Sequence, residues 1–117
     1  MRKSDPLVEQ SIDFSIQIVN YCKWLTTQKN EFVMSKQILK SGTSIGANIH
    51  EANYAVSKAD FIVKMQIALK EASETEYWLI VLEKTDFLPK EFYHLKERCN
   101  GIKRMLISTL NTTKSDI

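Results

Sequence analysis

Ser41-Gly-Thr-Ser-Ile-Gly-Ala-Asn-Ile-His-Glu-Ala52 is the run whose reading decides the fold. Gly42, Ile45, Ile49 and Ala52 recur in it at alternating steps of three and four, which places them on one face of a helix. Small and polar residues weaken an isolated helix, and an interior glycine costs about 1 kcal/mol against alanine. That cost is most simply offset where the helix backbone closely approaches a neighbour. Ser44, Asn48, Glu51 and Ala55 line a second face at the same spacing. It is polar without being rich in charge, which is unusual for a face that simply meets water.

Working outward, the same seam takes in Ile38 and Val56, so the spacing predicts a helix over 32–56. A break follows near Ser57, where Ser57-Lys-Ala-Asp60 fits a capping box with Asp60 in the reciprocal position. The next helix, 58–84, carries Phe61, Met65, Ala68, Ala72, Thr75, Leu79 and Leu82 on its seam, with Ile62, Leu69 and Ile80 beside it. Lys70 and Glu74 make an exposed i,i+4 pair there, worth roughly 0.3 kcal/mol. Upstream, Asp5-Pro6 is a helix start, a capping side chain followed by proline. Leu7, Ser11, Phe14, Ile18, Tyr21 and Leu25, with a parallel stripe of Val8, Ile12, Ser15, Val19 and Cys22, predict a helix over 6–28 that touches two neighbours.

Downstream, Asp86-Phe-Leu-Pro89 marks a break before a helix over 89–112, whose seam is Phe92, Leu95, Cys99, Ile102, Leu106 and Leu110. Gly101 falls close to that seam, and the tail after Asn111 is polar and expected to fray. Four helices on short loops predict an all-α protein, an antiparallel up-down-up-down four-helix bundle, as a single domain over 1–117.

Composition agrees. Of 117 residues, 44% are hydrophobic and 26% charged, and three glycines with two prolines are too few for the turns of an all-β chain. Sixteen basic against fourteen acidic residues leave a net charge of +2, too small an excess to signal a nucleic-acid partner by itself. Cys22 and Cys99 sit at core-like positions and read as buried thiols of a reducing compartment. With no apolar segment behind the N-terminus and no run of membrane-spanning length, the expectation is a cytoplasmic protein with no membrane partner.

Catalytic chemistry finds little footing. Glu91-Phe-Tyr-His94 has the Glu-x-x-His spacing of di-iron bundles, but such a site needs a second copy of the motif and two further glutamates. Ala47 stands three residues before the other histidine, His50. Glu71, Glu74 and Glu76 point to different sides of one helix. No catalytic residue, metal or cofactor is assigned, and the chain is read as a non-enzyme.

Ser35-Lys-Gln-Ile-Leu39, the run Ser41 to Ala52, Ser57-Lys-Ala-Asp-Phe61 and Ala68-Leu-Lys-Glu-Ala-Ser-Glu-Thr-Glu-Tyr-Trp-Leu79 resemble the bacterial four-helix-bundle family of 23S rRNA intervening-sequence proteins. The likeness runs from about Pro6 to Thr113. It implies an intracellular bacterial protein that assembles as a ring, a homopentamer. It also implies kinship with the accessory variability determinant proteins of diversity-generating retroelements, which associate with a reverse transcriptase and nucleic acid. The family name reflects genes lying in rRNA insertions, and no activity follows from that location.

Two surfaces are candidates for function. Helical spacing puts Ser44, Asn48 and Glu51 in one polar column and Lys64, Glu71 and Trp78 in another, with Tyr77 beside Trp78. They read either as a solvated face or as a subunit interface, with Asn48 and Glu51 bonding across chains and Lys64 pairing with Glu71. The small residues nearby, the tyrosine and tryptophan and the implied ring favour the interface. On the last helix Lys96, Arg98, Lys103, Arg104 and Lys114 have only Glu97 as an acidic neighbour in sequence, and Lys29, Lys36 and Lys40 form a weaker patch. Repeated around a ring, such cations give weak phosphate contacts avidity. No aromatics interleave with them, so salt-sensitive, sequence-tolerant binding to RNA or DNA is expected rather than base stacking. The leading reading is an oligomeric module that binds nucleic acid or a nucleic-acid enzyme. The alternative is a purely structural or protein-partner-binding bundle with no nucleic-acid affinity.

Overall fold

The computed structural model describes residues 5–115, so the ends of the expected 1–117 domain lie outside the described residues. Four helices follow in order: α1 (Pro6–Gln28), α2 (Val33–Ala52), α3 (Lys58–Lys84) and α4 (His94–Ser115), with a short 3-10 turn at Lys90–Phe92 before the last. Each packs on its neighbours in sequence and α4 closes back onto α1. This is the up-down-up-down four-helix bundle.

The helix starts follow the local chemistry. Asp5 accepts from the Leu7 N–H at 2.8 Å, and Pro6 opens α1. Ser57 Oγ accepts from the Asp60 N–H at 3.0 Å, while the short Asp60 side chain reaches back to the Val56 N–H at 3.1 Å. α2 has no side-chain bond from its own cap residue, Phe32; the Glu31 carboxylate accepts from the Val33 and Ser35 N–H groups instead.

Beyond a one-residue shift in the start of α2, from 32 to Val33, three boundaries differ from the sequence expectation. α2 ends at Ala52, not 56, because Asn53, Tyr54 and Ala55 donate to carbonyls only two or three residues back and tighten the last turn. Val56, expected on the seam, is 91% exposed, its N–H serving the cap of α3. α4 starts at His94 rather than 89, since extended Pro89 leads into the 3-10 turn, and it runs on to Ser115 past the expected fraying point. On α1 the second stripe is only partly covered: Val8 and Cys22 are buried but Ile12 is exposed.

The core is the expected set of seams. Phe14, Ile18, Leu25, Ile38, Ile45, Ile49, Met65, Leu79, Leu82, Leu95 and Leu106 are fully buried. Tyr21 is buried too, donating its hydroxyl to Phe87 O at 2.6 Å and so tying the α3–α4 connection to α1. Gly42 and Gly46 act as the sequence implied. A Cβ on Gly42 would lie 3.0 Å from both γ-carbons of Ile18, and one on Gly46 would lie 3.2 Å from Ser15 Oγ and 3.3 Å from Ser11 O. Both are close approaches of α2 to α1. Gly101 is different: the nearest atom to its Cβ position is an Arg104 nitrogen at 3.9 Å, so it sits at the surface rather than in a tight seam.

Candidate functional site

The α2–α3 pair, the most extensive helix contact in the bundle, carries the polar columns. Ser41 and Thr75 seal its interior through hydroxyls 2.9 Å apart, with Thr75 Oγ1 also donating to Glu71 O at 2.8 Å. Outside this seal the Asn48 amide donates to Ser44 O at 2.8 Å, one turn back in the same helix. Lys64 Nζ donates to Glu51 Oε1 at 3.0 Å, bridging the two helices. Within the chain Lys64 therefore pairs with Glu51, not with Glu71. That hydrogen bond, followed by the Glu51 charge, raises the Lys64 pKa.

The Glu71 carboxylate takes no hydrogen bond among the described residues, although its backbone carbonyl accepts from Thr75. Burial, and then the Glu74 carboxylate, push its pKa above the usual carboxylate range, against the opposing pull of Lys70 and Lys40. Glu74 accepts from the Trp78 indole N–H at 3.2 Å, so the expected Lys70–Glu74 pairing gives way to a tryptophan partner. Tyr77 stands edge-on to Trp78 with ring centroids 5.2 Å apart. Trp78 is half-buried against the core and Tyr77 is 58% exposed.

α3 carries a further feature, of which the sequence pattern singles out Tyr77 but not Val63 or Ile67, and places Ile80 beside the seam. Val63, Ile67, Tyr77 and Ile80 are exposed, and by helical spacing Val63, Ile67 and Tyr77 lie opposite Met65, Ala72 and Leu79. The signal was present as apolar residues off the seam, four and then ten positions apart.

The basic edge of α4 is altered by its partners. Lys96 is bound to Glu83 at 2.7 Å and Lys103 to Glu76 at 3.1 Å, both on α3, and Arg98 pairs with Asp13 on α1. Of the five cations singled out there, Lys96, Arg98 and Lys103 are thus paired; Lys114 has no carboxylate partner among the described residues, and neither does Arg104. It lines a shallow hollow of about 510 Å³ between α1 and α4 with Gln10, Gly101, Met105, Ser108 and Thr109.

The remaining chemistry-bearing residues are held in structural roles. Glu91 belongs to the 3-10 turn and His94 opens α4, so the Glu-x-x-His spacing straddles two elements, and His94 is hydrogen-bonded to Gln17. Among the described residues no group of three or more His, Cys, Asp or Glu side chains is placed to hold a metal. Cys22 and Cys99 are free and buried, donating to Ser35 O and Ala72 O at 3.4 Å. Burial pushes both thiols up to about 12, leaving no thiolate at neutral pH. No described helix is long and apolar enough to cross a membrane.

A family model described as 23S rRNA-intervening sequence protein matches residues 5–108. A solved structure from Bacteroides thetaiotaomicron VPI-5482, described as a protein with unknown function from the S23 ribosomal protein family, is 51% identical to this chain. The match covers 89% of this chain and 97% of that one, with a TM-score of 0.86. No curated protein matches.

Proposed function

We infer the function from the premise that this chain belongs to the 23S rRNA-intervening sequence protein family: it is a non-enzymatic, homo-oligomeric assembly module, pentameric as the family resemblance implies. The subunit contact is made by the α2–α3 surface, through Ser44, Asn48, Glu51, Lys64, Glu71, Tyr77 and Trp78. One observation carries this reading. α3 carries apolar side chains on its outer side as well as its inner one: Val63, Ile67, Tyr77 and Ile80 stand exposed there among polar neighbours, uncovered by the described residues. Exposed apolar residues grouped along one helix face mark a surface that a partner buries. Two buried, unbridged cysteines suit a reducing compartment, which supports a cytoplasmic module. Asn48→Trp or Glu51→Trp is expected to give smaller species in light scattering. An unchanged mass would overturn this interface.

A second reading adds RNA, DNA or a nucleic-acid enzyme such as a reverse transcriptase as the ring's partner, met through α4. Arg104, without a carboxylate partner among the described residues and lining the hollow between α1 and α4, favours it. The ion pairs of Lys96, Arg98 and Lys103 oppose it only mildly, because pairs this exposed contribute about 0–1 kcal/mol and yield to competing phosphates. Multiplied around a ring, such contacts give salt-sensitive, sequence-tolerant retention. Retention on an RNA or DNA column at low salt, abolished by Lys103→Glu with Arg104→Glu, is the expected result. No retention at low salt leaves the purely protein-binding module.

A further inference from the structure

A closed ring of identical subunits joins unlike patches head to tail, so each copy needs two different contact surfaces. The α2–α3 surface supplies one. We propose that the other is the groove between α1 and α2, so that the outer ridge of α3 in one subunit seats between α1 and α2 of the next. This rests on the assembly reading above and names the surface that completes it.

Shape is the first argument. The ridge is a single helix face projecting Val63, Ile67 and Tyr77 outward. The groove is a concave, largely apolar space of about 370 Å³, lined by Val19, Cys22, Phe32 and Leu39 with Lys23 and Lys36 beside them. Phe32 is 61% exposed at its mouth, and exposed Ile12 and Ile16 continue the apolar surface along α1. Two ridges, or two grooves, leave each other unfilled, so neither face suits a two-fold contact with its own copy. A ridge fills a groove.

Charge is the second argument. Among the described residues Lys23 and Lys36 take no part in the interhelical ion pairs, which engage Lys64, Lys96, Arg98 and Lys103. The ridge carries Glu71 and Glu74 with Lys70 beside them, and the Trp78 indole N–H holds Glu74 next to Tyr77. Seating Tyr77 in the groove brings this carboxylate pair to the lysine rim. The hollow between α1 and α4 offers a poorer match, because Gln10, Arg104, Ser108 and Thr109 make its lining more polar than that of the groove.

The test uses the full chain and two sets of surface variants. Leu39→Glu places a carboxylate in the apolar groove, and Ile67→Glu with Tyr77→Glu places two on the ridge; burying such a charge without a partner is costly. Each variant alone should be monomeric in light scattering, with the helical signal of the wild type in circular dichroism. An equimolar mixture should form a species of two chains and nothing larger, since one intact ridge meets one intact groove and each chain's other surface is blocked. A mixture that stays monomeric overturns the inference. If the wild type is oligomeric and either variant keeps its mass, the inference fails alone. A monomeric wild type overturns the assembly reading, and the inference with it.

Discussion

The two helix pairs at the sides of the bundle are sealed by opposite means. α1 meets α2 where side chains are missing or small: Gly42 under Ile18, and Gly46 against Ser11 and Ser15. Among the described residues no ion pair joins them. α3 meets α4 through charge, with Glu83 bound to Lys96 and Glu76 to Lys103 flanking the Cys99 contact with Ala72. Lys96 and Lys103 of α4 therefore spend their charge inside the chain, while Lys23 and Lys36 keep theirs beside an apolar groove. A run of basic residues on one helix says little about surface potential until the neighbouring helix is known.

The contrast can be broken most severely at Gly42. Gly42→Leu should cost about 3 kcal/mol in urea unfolding, since a well-packed core resists added volume. Even Gly42→Ala should destabilise despite its better helix propensity, because the new Cβ meets both γ-carbons of a stiff, fully buried isoleucine at 3.0 Å. A stabilised alanine variant would contradict the close-approach account. Thr75→Val, between the two sides, removes the hydroxyl facing buried Ser41 and should cost roughly 1–2 kcal/mol by the same measurement.

Smaller effects are expected where charge does the sealing. Glu76→Gln should cost less than about 1 kcal/mol, because the Lys103 pair is partly exposed. By freeing Lys103 it should also strengthen any retention on RNA at low salt. The smallest effect concerns pH. The folded chain holds the Glu71 carboxyl above its ordinary pKa, so the folded state binds more protons than the unfolded one there. Stability contributed by that proton is present below the ordinary glutamate value and falls as pH rises through the raised one. Glu71→Gln should flatten that slope in thermal melts taken across mildly acidic pH.

The seams were legible in sequence because burial leaves a period. Ile45, Ile49, Met65, Leu79 and Leu106 recur at the steps that a bundle core demands, and all are buried. Val56 kept the period yet left the helix, since the turn at Asn53 and the capping Asp60 decide locally where α2 stops. The partners of the α4 cations were invisible for another reason. They lie 13 residues away for Lys96, 27 for Lys103 and 85 for Arg98, and only the folded topology brings them together. Lys64 likewise faces Glu51 across the helix pair, while Glu71 shares its own helix. The groove at Phe32 and Leu39 was equally hidden, being a property of two helices at once.

The central claim, that α3 is covered by another copy of the chain, is tested most directly by the mass of the wild-type protein in solution. Multi-angle light scattering over a dilution series should give one species at the mass of a pentamer, unchanged with concentration until the ring dissociates. A monomer's mass throughout the series would contradict it.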